Sequence, residues 1–204
     1  LSWDVISQVG FMLLGLSLFT IGSLAASIFF MIQYMPTKAG LFLVSGLIER
    51  SSGTGNIYRL GGLSRIYPWV AGMFLIFAFS VSGIPPFAGF WAKLGLLQAS
   101  FALHSTSGYI SAGIILLGSV LTGFMMIKIW QWVFWGQPKN SNIEQKAVSL
   151  REHWKHIIPL IMASGLGLGM VIWVGGIYEL SNQAASQILN PVQYIEAVNL
   201  AKFE

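Results

Sequence analysis

The chain of 204 residues contains eleven basic and seven acidic residues, so that only 9 % of it is charged, whereas 55 % is hydrophobic. A typical soluble domain is about 25 % charged, and a soluble chain this apolar would lack the polar surface needed to cover its core. The composition therefore excludes almost every soluble enzyme. The net charge of +4 comes without a dense basic cluster, which favours membrane-flanking residues over a nucleic-acid partner.

The first apolar run covers residues 9–48 and contains a single charge, Lys38. One helix of that length would extend about 60 Å at 1.5 Å per residue, roughly twice the hydrocarbon thickness of a bilayer. The run is therefore predicted to form two helices, with a turn at residues 20–23 around Gly22.

The remaining elements follow as alternating apolar and polar segments. A Gly-, Ser- and Arg-rich loop at 49–67 precedes a third span at 68–82, which Pro68 opens because proline is tolerated in a first helical turn. Pro85 and Pro86 break the chain before a fourth apolar stretch. The fourth, fifth and sixth spans are predicted at 87–103, 109–130 and 157–178. A second extramembrane loop is predicted at 136–156 and a surface tail at 180–204. This pattern predicts an all-α integral membrane protein, with residues 1–204 as one transmembrane domain of about six spans with broken helices.

Two lysines, Lys38 and Lys93, lie inside predicted spans. A charge at mid-membrane costs about 2.5–3.5 kcal/mol on insertion scales, and such residues usually face a protein interior or a water-filled path. Each lysine also follows a predicted helix break, Pro36 in one case and Pro85–Pro86 in the other. A lysine in the first turn of a half-helix is disfavoured in its charged form by the helix dipole and by desolvation. Both are therefore candidate proton relay residues.

The polar neighbours of these lysines allow two interpretations. They are either a water-mediated proton path or interhelical hydrogen bonds that hold the helices together, and each lysine equally well pairs with an acid for structural reasons. Asp4, Glu49 and Glu179 lie at predicted span ends, so the sequence offers no acidic partner inside a span. No catalytic residue, cofactor site or metal site is indicated, because the three histidines lack ligand spacing and there is no cysteine. The candidate supporting residues are Gln33, Tyr34 and Thr37 near Lys38, and Gln98 and Ser100 near Lys93.

Several segments, in order, resemble the antiporter-like subunits shared by Mrp-type multisubunit cation/proton antiporters and the proton-pumping arm of respiratory complex I. The end of the chain also looks like the end of the D-type subunit of the Mrp antiporters. The segments are SQVGFMLLGLSL (7–18), TKAGLFLVSGLIE (37–49), LGGLSRIYPW (60–69), GIPPFAGFWAKLGLL (83–97) and, for the end of the chain, NPVQYIEAV (190–198).

The resemblance implies broken transmembrane helices in inverted repeats with a mid-membrane axis of lysines. Lys38 matches the central lysine of the family and Lys93 the terminal lysine after the prolines. Tyr34 stands where members of the family usually carry histidine, which suggests a water- or hydroxyl-mediated link. Because members are more than twice as long, the chain resembles their C-terminal part, and either another chain supplies the rest or the sequence is truncated.

The implied function is that of a multi-pass membrane subunit of an Mrp-type sodium/proton antiporter in the plasma or inner membrane, a transporter rather than an enzyme. Its expected partners are other membrane subunits, including a chain that supplies the N-terminal half, with protons and a monovalent cation as substrates and lipid around it. Two alternatives remain. One is a proton-pumping subunit of a complex I-like NADH dehydrogenase or membrane hydrogenase, and the other is a non-transporting membrane scaffold.

Overall fold

The structure, a computed structural model, describes residues 2–136 and 150–190, with the side chains of 150–156 left aside. Within these ranges the chain is helical and contains no strand, as the sequence predicts. The helices are α1 (Ser2–Ser17), α2 (Ile21–Ser52), α3 (Leu63–Ile66), α4 (Pro68–Ser82), α5 (Ala88–Ala102), α6 (Thr106–Val133), α7 (Leu150–Ile172) and α8 (Val174–Leu189), with a 3₁₀ turn at Ile57–Arg59.

The long apolar run forms two helices that meet at residues 18–20, slightly before the predicted turn. Thr20 caps α2: its hydroxyl oxygen accepts from the Ser23 N–H at 3.1 Å, and the Thr20 N–H donates to Ser23 Oγ at 3.1 Å. This reciprocal capping satisfies amide groups that the start of a helix otherwise leaves unpaired. The turn folds α1 back against α2.

Pro36 does not break α2, so the predicted half-helix that starts there is wrong. Pro36 lies inside a continuous 32-residue helix. Thr37 Oγ1 donates to the carbonyl oxygen of Gln33 at 2.8 Å, and the surrounding helices α1, α4, α5, α7 and α8 all pack against α2. Such contacts are what allow proline within a membrane helix. Lys38 therefore lies mid-helix, and the argument from the dipole of a first turn does not apply to it.

The break at Pro85 and Pro86 is confirmed. α4 ends at Ser82, and Gly83 follows in the left-handed region with φ +80°, a conformation that glycine adopts without steric cost. The Gly83 N–H donates to the carbonyls of Phe79 and Ser80 at 3.0 and 3.1 Å. α5 then begins at Ala88, so the prolines lie in the connection between two short helices.

The sixth predicted span, 157–178, is not one straight helix. α7 and α8 meet at Trp173 with a bend of 82°, and α8 packs along α2. The small side chain of Ala185 is fully buried there against Leu24 and Ala25, and small residues allow such close helix approach. The first ten residues of the predicted surface tail thus belong to a packed helix, and 191–204 lie outside the described residues, as do 137–149 of the predicted second loop.

All six predicted apolar stretches contain helix, but they are not equally long. Among the described helices, α2 and α6 are each long and apolar enough to cross a membrane, and α7 with α8 counts as a third crossing if the bent pair is one span. α4 is apolar but has only 15 residues. An all-helical bundle with helices long and apolar enough to cross a membrane is therefore confirmed for the described residues, whereas the number of complete spans is approximate.

Candidate functional site

Lys38 forms a buried ion pair with Asp4. The distance from Lys38 Nζ to Asp4 Oδ2 is 2.8 Å, and the two side chains are 8 % and 0 % exposed. The pair forms because the turn at Thr20 brings the first helical turns of α1 beside the middle of α2. Removing two charges from water is costly, and close contact with further hydrogen bonds is needed to compensate for it.

Gln8 extends this pair to a third helix. Its side-chain amide donates to Asp4 Oδ1 at 3.1 Å and to Thr122 Oγ1 at 3.3 Å. We call these four residues, Asp4, Gln8, Lys38 and Thr122, the Asp4 cluster. The cluster joins α1, α2 and α6 through charged and polar groups in the interior of the bundle.

Asp4 is the candidate site residue that the sequence analysis does not select. It was expected at the end of a span, away from Lys38. The signal that identifies it is the spacing of Asp4, Gln8, Phe11 and Gly15, which places all four on one face of α1, and all four are buried. Large apolar residues such as Trp3 and Leu13 occupy the exposed side instead.

A second group of polar residues links α2 to α4. Thr37 Oγ1 lies 3.4 Å from Ser80 Oγ, and the Ser80 hydroxyl donates to Gln33 Oε1 at 3.5 Å. All three residues are buried, so two of the predicted supporting residues, Gln33 and Thr37, lie in the protein interior and connect α2 to α4.

Tyr34 is also buried, and its ring centroid lies 5.9 Å from Lys38 Nζ. The ring can therefore contribute a cation–π contact to the ammonium group. The Tyr34 hydroxyl has no hydrogen-bond partner among the described residues. In the structure Tyr34 faces Lys38 with its ring, and no hydrogen bond links its hydroxyl to the lysine.

Lys93 lies on α5, and its side chain reaches back to the break between α4 and α5. Its side chain is buried, and Nζ donates to the carbonyl oxygens of Val81 at 2.8 Å and Ser82 at 3.2 Å. The last carbonyls of a helix have no partner within the helix, and the prolines prevent α4 from continuing past them. Lys93 therefore binds carbonyls at the end of α4, and its Nζ also lies 5.3 Å from the Phe11 ring centroid.

Gln98 does not belong to this site, contrary to expectation. It is exposed, and at five residues from Lys93 it lies about 140° around α5. Ser100 is buried, but its hydroxyl donates to the Leu96 carbonyl within the same helix at 2.8 Å.

We call the buried residues Asp4, Lys38, Thr37, Ser80 and Lys93, which lie on neighbouring helices of the bundle, the polar axis. Thr37 adjoins Lys38 in the chain, and Ser80 directly precedes the two residues whose carbonyls bind Lys93. A row of three rings, Phe11, Phe30 and Tyr34, with centroids 6.0 and 6.3 Å apart, accompanies the axis. One lysine contacts each end of that row. In the described part of the chain no group of His, Cys, Asp and Glu forms a metal site.

Gly89 sets the approach of α5 to α4 and thereby the position of Lys93. A Cβ at residue 89 would overlap the carbonyl oxygen of Ser80. We expect Gly89→Ala to destabilise the assembled protein by about 1–3 kcal/mol, the usual cost of overpacking, and to lower its melting temperature in detergent. Gly72→Ala in α4 is the matched control, because a Cβ there meets nothing within 4 Å. Equal melting temperatures for the two variants would contradict this assignment.

A membrane-embedded helical bundle with ionisable residues paired in its interior is the arrangement of a multi-pass membrane protein with a functional site at membrane depth. The family described as "NADH:quinone oxidoreductase/Mrp antiporter, TM" matches residues 1–125. The chain belongs to this family, and the resemblance noted in the sequence is confirmed.

Two relatives of the chain are named Na⁺/H⁺ antiporter subunits. The chain is 39 % identical over 198 residues to the D-type Na⁺/H⁺ antiporter subunit of Alkalihalophilus pseudofirmus. The aligned region covers 97 % of this chain and 39 % of that relative. It is 32 % identical over 196 residues to the corresponding D-type protein of Bacillus subtilis, covering 96 % of this chain and 38 % of that protein. The chain thus spans less than two fifths of the length of these relatives.

A solved structure shares the fold. The Mrp complex from Dietzia sp. DQ12-45-1b superimposes with a TM-score of 0.83 at 29 % identity, over 96 % of this chain and 43 % of the matched chain. The likeness therefore extends over nearly all of the present sequence.

Proposed function

We propose that this chain is the part of a sodium/proton antiporter subunit that passes protons between Lys38 and Lys93. The observation that carries this proposal is the buried polar axis, which places a lysine–carboxylate pair and a second lysine in one bundle of helices. The names of the relatives, Na⁺/H⁺ antiporter subunits, support sodium and protons as the transported ions.

The Asp4–Lys38 pair is suited to hold a proton in the membrane interior. With both groups charged, the ammonium and the carboxylate stabilise each other at 2.8 Å. Transfer of one proton from Nζ to the carboxylate makes both groups neutral, so the pair has two states without a net buried charge. Gln8 fixes one carboxylate oxygen, which leaves the other facing Lys38.

Hydroxyl groups provide the connection toward Lys93. Serine and threonine hydroxyls both donate and accept, so Thr37 and Ser80 can order water between the two lysines. Gln33 accepts from Ser80 and orients that hydroxyl. The axis therefore has hydroxyl groups that can donate and accept on both α2 and α4, which supports a water-mediated connection.

Repulsion between the lysines couples their protonation. Two like charges 10–15 Å apart interact by about 1–2 kcal/mol at an effective dielectric constant near 20. A proton that arrives at one lysine therefore disfavours the charged form of the other, and loading at one end promotes release at the other.

The proposed assembly is a hetero-oligomer in the plasma or inner membrane with a further chain or segment that supplies the rest of the subunit. Apolar side chains on the outer faces of α1 and α6, among them Trp3, Leu117 and Leu121, are exposed in this chain. Such faces at membrane depth contact either lipid or neighbouring membrane helices. Lipid and other membrane subunits are therefore the proposed partners.

A complex I-like or hydrogenase-like pump is the second candidate, since the matched family includes NADH:quinone oxidoreductase. Purification of the native complex distinguishes the two candidates. Flavin and iron–sulfur subunits in the complex would favour the pump, and their absence together with the other antiporter subunits would favour the antiporter. A structural scaffold is the third candidate, because both lysines also connect helices.

Arginine substitutions separate the relay from the scaffold. We expect Lys38→Arg and Lys93→Arg each to abolish pH-gradient-dependent cation extrusion in membrane vesicles, because arginine keeps the charge and the donors but does not release its proton. The amount of assembled complex is measured in parallel. Lys128→Arg is the control, since that lysine is exposed on α6 near Trp132. Full transport by both arginine variants at positions 38 and 93 would favour the scaffold.

A further inference from the structure

A cavity of about 310 Å³ opens beside the C-terminal half of α2. α2, α6 and the loop after α2 contribute most of its wall. We call it the Glu49 vestibule, after the acidic residue at its mouth. Its polar lining residues are Ser2, Ser45, Glu49 and Thr54.

The vestibule leads toward the Asp4–Lys38 pair. Lys38, Phe42, Ser45 and Glu49 follow one another at spacings of four, three and four residues, which places them on one face of α2. Glu49 is exposed at the outer end. At the inner end, the side chain of Phe42 lines the cavity and is 46 % exposed. Its ring centroid lies 5.2 Å from Lys38 Nζ, so the cavity reaches an aromatic ring that contacts the ion pair.

The lining of the vestibule suits water and cations. Bound water needs polar partners and room, and the hydroxyls of Ser2 and Ser45 supply partners between apolar walls. An exposed carboxylate at a cavity mouth raises the local concentration of cations, protons included. Gly55 leaves this carboxylate uncovered, because a Cβ there would lie 3.2 Å from Glu49 Oε1.

We propose that the Glu49 vestibule is the aqueous access route from one face of the membrane to the Asp4–Lys38 pair, and that Phe42 separates its water from the pair. This inference rests on the proposed proton relay, since it assigns to that relay the side from which Lys38 is reached. It identifies Glu49, Ser45 and Phe42 as residues of the access route, none of which the sequence analysis singled out for a role.

Thiol labelling tests the route without measuring transport. The 204 residues contain no cysteine, so a cysteine introduced by Ser45→Cys can be followed by the mass of its labelled peptide. The probe is 2-(trimethylammonium)ethyl methanethiosulfonate, a membrane-impermeant cation, applied to the assembled complex in vesicles of both orientations. Gly46→Cys is the control at the same depth, because Gly46 is exposed but does not line the cavity. Thiolates react in contact with water.

We expect Ser45→Cys to be labelled from one face at least tenfold faster than Gly46→Cys. Adding Glu49→Gln should slow labelling by this cationic probe severalfold and leave the rate with an anionic methanethiosulfonate unchanged or higher. Equal rates at positions 45 and 46, or no labelling at 45 from either face, would overturn the route. If Ser45→Cys reduces assembly, the labelling rate of Thr54→Cys, at another residue of the cavity lining, is compared with that of Gly46→Cys instead.

The labelling experiment tests the access route separately from the proton relay, which the arginine variants test. Rapid labelling at position 45 together with normal transport by the arginine variants would support water access and refute the relay. Absent labelling together with lost transport in those variants would retain the relay and refute this route.

Discussion

Asp4→Asn is expected to abolish proton-coupled cation transport and to destabilise the assembled complex. The substitution leaves Lys38 buried without a carboxylate at 2.8 Å, and the removal of one partner from a buried ion pair typically costs about 3–5 kcal/mol. Asparagine retains an oxygen that can accept from Gln8, so the loss is confined mainly to the charge. Transport is measured in vesicles by the pH gradient that cation addition dissipates, and stability by thermal unfolding of the purified complex.

A double substitution then separates charge transfer from structural pairing. Asp4→Asn with Lys38→Met removes both charges, so no charge remains buried alone, and we expect most of the lost stability to return. Transport should stay absent, because neither residue can then carry a proton. The exposed Glu179 on α8 provides the control Glu179→Gln, which should change neither quantity. Recovery of transport in the double variant would show that the pair only holds helices together.

The parts of the fold that the sequence predicted well are those determined by local chemistry. The bounds of α4, Pro68–Ser82, agree with the prediction because a proline at the first helical position and a glycine after the last one act within the helix itself. The bend between α7 and α8 was missed, since it depends on the packing of α8 against α2. Pro36 was misread for a similar reason: the helices around α2 and the Thr37 hydroxyl permit proline inside it.

The same distinction applies to the site. Lys38 and Lys93 were identified because a charge inside an apolar run is visible in the sequence without knowledge of the fold. Asp4 does not stand out in the sequence as the partner of Lys38, because their pairing depends on the register in which α1 packs against α2. The spacing of Asp4, Gln8, Phe11 and Gly15 indicates a buried face of α1 but does not specify that register. Gln98 was selected for its closeness in sequence to Lys93, whereas helical periodicity places it on another face of α5.

Lys93, unlike Asp4, has backbone carbonyls as its hydrogen-bond partners. Its role is therefore either to stabilise the end of α4 or to carry a proton. A lysine that only stabilises the end of α4 needs its hydrogen bonds to Val81 and Ser82 but not its titratable proton. A relay lysine needs both. Substitutions that keep the donor but remove the titration therefore distinguish the two roles, which simple truncation does not.

Lys93→Gln is accordingly expected to abolish transport while the complex assembles. The glutamine amide can still donate to a carbonyl at the end of α4, but it carries no proton that it can exchange near neutral pH. Lys93→Ala should lose transport too and, in addition, lower stability by about 1–3 kcal/mol, because two buried carbonyls lose their donor. Lys128→Gln, at an exposed lysine on α6, should keep transport. Wild-type transport by Lys93→Gln would make Lys93 a structural cap of α4 and would end the proposed axis at Ser80.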